Sequence, residues 1–232
     1  MPPKPQALKI LDIVTLILFL IAVWMVFFYA PLEAVMGQVQ RVFYFHVAAG
    51  WVGFLGFLLA AIFGGIYLRT GDLKWDRRSL AGVELGLVFS FINIVSGSIW
   101  ARPIWNTWWT WDPRLVTATI MELVYAAYLM LRQGIENPVR RARFGAVYAI
   151  LGFVSVPISF LSIRIWRTIH PVVIGSGDPE AVGGFNMTPT MKVVFFFSLF
   201  VFTVLFFDLL WNRIRLGEFQ HKIEQLKMKV MM

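Results

Sequence analysis

Residues 13–30 read IVTLILFLIAVWMVFFYA, an apolar run without a single charge. A stretch of that length and composition crosses the hydrocarbon core of a bilayer as a helix, whereas a surface helix of a water-soluble protein carries a polar face opposite its apolar one. The run follows Lys4 and Lys9, is longer than the roughly 7–15 apolar residues of a signal-peptide core, and no small-x-small cleavage site comes after it. It is expected to stay in place as a first transmembrane helix. Working outward from it, five further apolar stretches follow, and the six expected spans are roughly 11–30, 43–68, 80–100, 113–131, 144–165 and 190–211. The fold class expected is therefore all-α, a polytopic bundle of six transmembrane helices.

The whole chain agrees. Of 232 residues, 59% are apolar and 15% charged, against about 45–50% and about 25% in an ordinary soluble domain. Mean hydropathy is +0.71. Six spans nearly exhaust the length, so residues 1–211 are expected to form one membrane domain and 212–232 a basic, mildly amphipathic cytoplasmic tail. The net charge of +8 is explained by basic loops on one side of a membrane and does not call for a nucleic acid partner. There is no cysteine, which excludes disulfides, thiolate metal sites and thiol chemistry. A metal or haem ligand must then be His, Met, Tyr or a carboxylate.

Orientation follows from lysine and arginine. Lys4, Lys9, Arg69, Lys74, Arg77, Arg78, Arg132, Arg140, Arg141, Arg143, Arg213, Arg215, Lys222, Lys227 and Lys229 belong to one set of connecting segments. The opposite set holds only Arg41, Arg102, Arg114, Arg164, Arg167 and Lys192. Both termini are expected in the cytoplasm, with loops 31–42, 101–112 and 166–189 facing outward. Local signals place some boundaries. Asp112-Pro113 and Thr188-Pro189 each pair an N-cap with proline at the first helical position, and Pro157 should kink the fifth span. Gly86, Ser90, Asn93 and Gly97 in the third span, and Ser155, Ser159 and Ser162 in the fifth, lie at helical spacing. They read as surfaces for close helix packing.

The chemistry gathers in Trp100–Arg114, WARPIWNTWWTWDPR. Trp100, Trp105, Trp108, Trp109 and Trp111 are five of the ten tryptophans, within twelve residues. An interfacial aromatic belt needs one or two anchors per helix end; five in one loop make a broad apolar face with a few N–H donors, suited to a large planar ligand. His46 opens the second span and His170 follows the fifth, both on the side of this loop by the orientation argument. Neutral imidazole is a common haem ligand, and iron in a porphyrin accepts one ligand on each face. His221, in the tail, lies on the wrong side. Arg41, Arg102, Arg114, Arg164 and Arg167 are candidates for the two haem propionates, with Arg102 and Arg114 preferred because they bracket the tryptophans. Asp112 is expected as the cap and as a fixer of the loop's exit angle. Glu84 and Glu122 lie within spans, where a carboxyl is costly; each is either functional or protonated and packed between helices.

The segment WNTWWTWDPRL resembles the tryptophan-rich WWD motif of haem-handling proteins of cytochrome c maturation. With six spans and one flanking histidine on each side, in FYFHVAAGW and WRTIHP, the chain is similar over nearly its whole length to the CcmC family. The resemblance implies transient binding of haem b at the periplasmic face of the bacterial inner membrane. It implies His46 and His170 as axial ligands of the iron, and Trp100, Trp105, Trp108, Trp109, Trp111, Asp112, Arg102 and Arg114 around the ring. It also implies presentation of the haem to the chaperone CcmE, with CcmD and the ABC transporter subunits CcmA and CcmB as partners. Such a protein transfers haem and is not an enzyme in its own right. Two positions depart from the family pattern: Asn106 stands where Gly is frequent, and Val116 where Thr often follows the Arg-Leu pair. Two other functions compete, a permease moving haem across the bilayer with an ABC partner and a structural scaffold without haem.

Overall fold

The computed structural model describes residues 3–33, 36–171 and 187–231. Six helices long and apolar enough to cross a membrane account for most of them. Helix α1 is Gln6–Trp24, and it ends in a single π-helical turn, Met25–Tyr29. Then come α2 (Gln40–Thr70), α3 (Leu73–Trp105) and α4 (Pro113–Gln133). The fifth span is divided into α5 (Pro138–Gly152) and α6 (Ser155–Ile165), and α7 is Pro189–Met231. Most of the loop expected at 166–189 falls outside the described residues.

The ends of these helices follow from their residues. Gly71, at φ 68°, takes the left-handed conformation that closes α2, and Asp72 caps α3 by accepting from the Lys74 amide at 2.9 Å. Asp112 and Asn137 cap α4 and α5 ahead of Pro113 and Pro138, as Thr188 does for α7 through the Met191 amide. The fifth span breaks at Phe153–Val154. Pro157 has no N–H, and its ring crowds the carbonyl four residues earlier, that of Phe153. The Val156 amide turns to the Phe153 carbonyl at 3.0 Å instead. Two helices outrun the sequence reading. The third continues past Trp100 to Trp105, so the first part of the tryptophan segment is helical; the last continues past Trp211 without interruption through the basic tail.

Close packing of α2 on α3 is the frame of the bundle. Gly56 faces Gly82 and Gly86 with no room for a side chain: a Cβ on Gly56 would stand 2.7 Å from the backbone of both. Farther along the same seam Gly53 meets Ser90 and Gly50 meets Asn93. The stripe Gly86, Ser90, Asn93, Gly97 is thus the contact face that its spacing suggested. Phe57 stacks on Tyr125 of α4 with centroids 3.7 Å apart, and Phe202 and Phe206 of α7 pack with Ala48, Val52 and Phe89.

The acidic residues of the spans are bonded between helices. Asp76 and Arg132 form a buried bidentate pair at 2.5 and 2.8 Å joining α3 to α4. Glu84 pairs with Arg213 of α7 at 2.6 Å, and Glu122 of α4 is hydrogen-bonded to Ser90 of α3. Apolar side chains such as Ile13, Leu16 and Leu20 of α1 face outward, more than half exposed, as expected of a lipid-facing helix.

Candidate functional site

The end of α1, the starts of α2 and α4, the ends of α3 and α6, and the start of α7 share one end of the bundle. There a half-open cavity of about 470 Å³, counting the part open to the outside, is lined by His46, His170, Trp100, Trp105, Trp109 and Arg114 among others. Three helices and two connecting segments build it, one of them carrying Trp109. His46 comes from the second turn of α2. Trp100 and Trp105 come from the last turns of α3, Arg114 from the first turn of α4, and His170 from the segment after α6.

Each imidazole is held by its Nδ1. In His46 this atom is 2.9 Å from the backbone carbonyl of Asn93. A carbonyl only accepts, so Nδ1 carries the proton and Nε2 keeps its lone pair. The Asn93 side chain fixes the same turn by donating to the His46 carbonyl at 2.7 Å. The glycine at position 97 makes room for the ring: a Cβ there would lie 2.8 Å from His46 Cε1. In His170, Nδ1 is 3.1 Å from the carbonyl of Pro171, which again leaves Nε2 as the lone-pair atom. Burial, with the nearby Arg114 charge and then His46, pushes the His170 pKa down to about 3. The imidazole is therefore in its neutral, ligating form.

The indoles meet edge to face. Trp100 and Trp105 have centroids 5.5 Å apart, Trp105 and His170 6.4 Å, and Trp109 and Trp111 6.2 Å. Nε1 of Trp100 and Nε1 of Trp105 are buried donors without a partner among the described residues. Arg114 is anchored to α6 by the carbonyl and hydroxyl of Ser159, at 2.5 and 3.0 Å, and lies over the Phe160 ring.

Not every expected residue reaches the cavity. Trp108 and Trp111 are exposed, at 57% and 84%, on the outer side of the loop. Arg102 donates to the carbonyl of Asn106 at 2.7 Å and closes the end of its own helix. Asp112 is buried behind the cavity: besides capping α4, it accepts from Thr168 Oγ1 at 2.6 and 2.7 Å and from the Ile169 amide at 2.9 Å. Asn93, Gly97, Ser159 and Thr168 were not marked as site residues by the sequence. Asn93 and Gly97 lie on the packing stripe, and Thr168 precedes His170 at the two-residue spacing of a side-chain turn.

Asn106 ends α3 with φ 54°. Asn is the side chain that adopts this left-handed conformation most readily after Gly, so the departure from Gly preserves the turn. Asn106→Gly is expected to leave the melting temperature nearly unchanged. Asn106→Val should cost about 1–2 kcal/mol, read as a lower melting temperature of the detergent-solubilised protein.

Chemically, two neutral imidazoles facing one aromatic cavity suit a particular kind of metal. A bare structural ion takes about four protein ligands. A metal that carries four equatorial ligands in a flat ring needs two more, one per face. The indoles match the flat ring, and the unpartnered N–H groups and Arg114 match acids on its edge.

Comparison with known proteins places the chain among named relatives. The family model of CcmC, Heme exporter protein C, matches residues 4–229. Among named relatives, Heme exporter protein C of Bradyrhizobium diazoefficiens is 27% identical over 86% of this chain and 74% of its own length. Its namesake in Escherichia coli K12 is 30% identical over 82% of this chain and 74% of its own length. A ccmC-like mitochondrial protein of Marchantia polymorpha, named for cytochrome c biosynthesis, is 26% identical over 87% of this chain and 85% of its own length.

Proposed function

The chain belongs to the CcmC, or Heme exporter protein C, family, and from that premise we propose that it is a multi-pass inner-membrane protein that handles haem in cytochrome c biogenesis. In this reading His46 and His170 bind the iron of one haem b from its two faces, at the periplasmic surface, with both termini in the cytoplasm. The haem is cargo. The protein holds it, keeps water and oxygen from the iron, and presents it to the chaperone CcmE, beside CcmD and the ABC subunits CcmA and CcmB. No covalent step belongs to this chain.

The observation that carries the reading is that two imidazoles, brought from distant parts of the chain, line one cavity with three indoles. Trp100, Trp105 and Trp109 cover the ring, Arg114 meets a propionate, and Trp108 and Trp111 extend the apolar surface outward to a partner. A haem bound by two imidazoles has no open iron position, which fits a carrier better than a catalyst. The permease alternative has less support, because Glu84 and Glu122, the acids that could line a path, are bonded to Arg213 and Ser90 between helices. The basic tail, as an extension of α7, belongs in this reading to the cytoplasmic side.

Titrating the purified protein in detergent with haemin tests the proposal. The expected result is saturation at about one haem per chain, quenching of tryptophan fluorescence, and the absorption spectrum of low-spin iron with two histidine ligands. A colourless protein with unquenched tryptophans would refute it.

A further inference from the structure

We propose that Thr168 is the positioning residue that holds His170 in the site, acting through Asp112; this rests on the haem reading above. The His170 imidazole has its polar tether to the next residue, Pro171, which sets the tautomer but cannot fix where the segment lies. That placement comes from Thr168. Its hydroxyl proton goes to the Asp112 carboxylate, 2.6 and 2.7 Å from the two oxygens. Its lone pair accepts the backbone N–H of His170 at 3.0 Å. The adjacent Ile169 amide donates to the same carboxylate at 2.9 Å, and the Arg114 amide donates to its other oxygen at 2.9 Å.

One carboxylate therefore gathers three donors from two segments: the start of α4, which carries Arg114, and the stretch that carries His170. Both Thr168 and Asp112 are buried, at 7% and 8% exposure, so water does not compete for these bonds. The aromatic loop ends at this same Asp112. Thr168 thus ties one imidazole wall of the cavity to the indole wall without touching the ligand. A methyl group in place of the hydroxyl has nearly the same shape but neither donates nor accepts.

The test compares full-length wild type, Thr168→Val, Thr168→Ser and Asp112→Asn in detergent, each loaded with haemin and read by absorption and electron paramagnetic resonance. Thr168→Val is expected to replace most of the low-spin two-histidine signal by a high-spin one. It should also release haem about 10–100-fold more readily, the usual effect of losing a group that orients a ligand. Added imidazole should restore the low-spin signal by supplying the missing ligand. Thr168→Ser should match wild type. Asp112→Asn keeps an acceptor for the cap but turns an NH₂ toward donors, and should behave like Thr168→Val; it decides the matter if the valine variant does not fold. A wild-type spectrum in both Thr168→Val and Asp112→Asn would overturn the positioning role and leave the haem reading intact. Absence of the two-histidine signal in wild type itself would overturn both.

Discussion

His46→Ala and His170→Ala are each expected to abolish the low-spin, two-histidine spectrum of the haem-loaded protein, and the double variant is expected to lose haem on a desalting column. The expectation follows from the like arrangement of the two imidazoles, each lining the cavity with Nδ1 on a carbonyl. Groups that only orient a ligand are worth about 10–100-fold in affinity, so losing a ligand itself should exceed that. His46 sits in the tight seam between α2 and α3, with Asn93 and Gly97 against it, and its removal leaves a hole shaped for an imidazole. Exogenous imidazole should refill it. His221→Ala is the control: its Nε2 is 2.9 Å from Gln225 on the far extension of α7, and its spectrum should match wild type. Unchanged spectra in both His46→Ala and His170→Ala would end the ligand assignment.

Gly56→Ala should be the most damaging single methyl group in the bundle, and Gly65→Ala nearly harmless, although both glycines lie in α2. At Gly56 the added Cβ meets backbone at 2.7 Å; at Gly65 it meets nothing within 4 Å. Exchanging Gly for Ala in a helix gains about 0.5–1 kcal/mol. Gly65→Ala should show that gain as a higher melting temperature. Gly56→Ala must part α2 from α3, and overpacking of this kind costs about 1–3 kcal/mol, here without a flexible side chain to yield. The same movement carries His46 away from the Asn93 carbonyl, so the variant should also lose haem. Equal melting temperatures for the two variants would show that the α2–α3 seam does not support the bundle.

The number and kind of helices could be read from the sequence because lipid imposes a simple condition: every backbone group must be satisfied within a long apolar helix. Caps at Asp112 and Thr188 are local, involving neighbours two to four residues away, and so are legible too. The two histidines and the tryptophan cluster stood out by composition. What the sequence did not yield depends on partners far along the chain. Asn93 became part of the site through a contact with position 46, and Thr168 through one with position 112. Arg102 and Arg114 looked alike in sequence and separated only in space, one turned back on its own helix and one directed to Ser159 and the cavity. Helix ends were misjudged where polarity and helicity part company, at Trp105 and beyond Trp211.

Three arginines at the cavity's end of the bundle donate to carbonyl oxygens. Arg41 donates to the carbonyls of Val26 and Phe27 in the π-helical turn, Arg102 to that of Asn106 and Arg114 to that of Ser159. At the opposite end, basic groups meet acids: Lys4 with Asp12, Lys74 with Asp72, Arg132 with Asp76 and Arg213 with Glu84. A carbonyl dipole orients a cation without cancelling its charge. In the haem reading proposed above, these cations attract the carboxylates of the cargo, and its rate of capture is expected to fall as ionic strength rises.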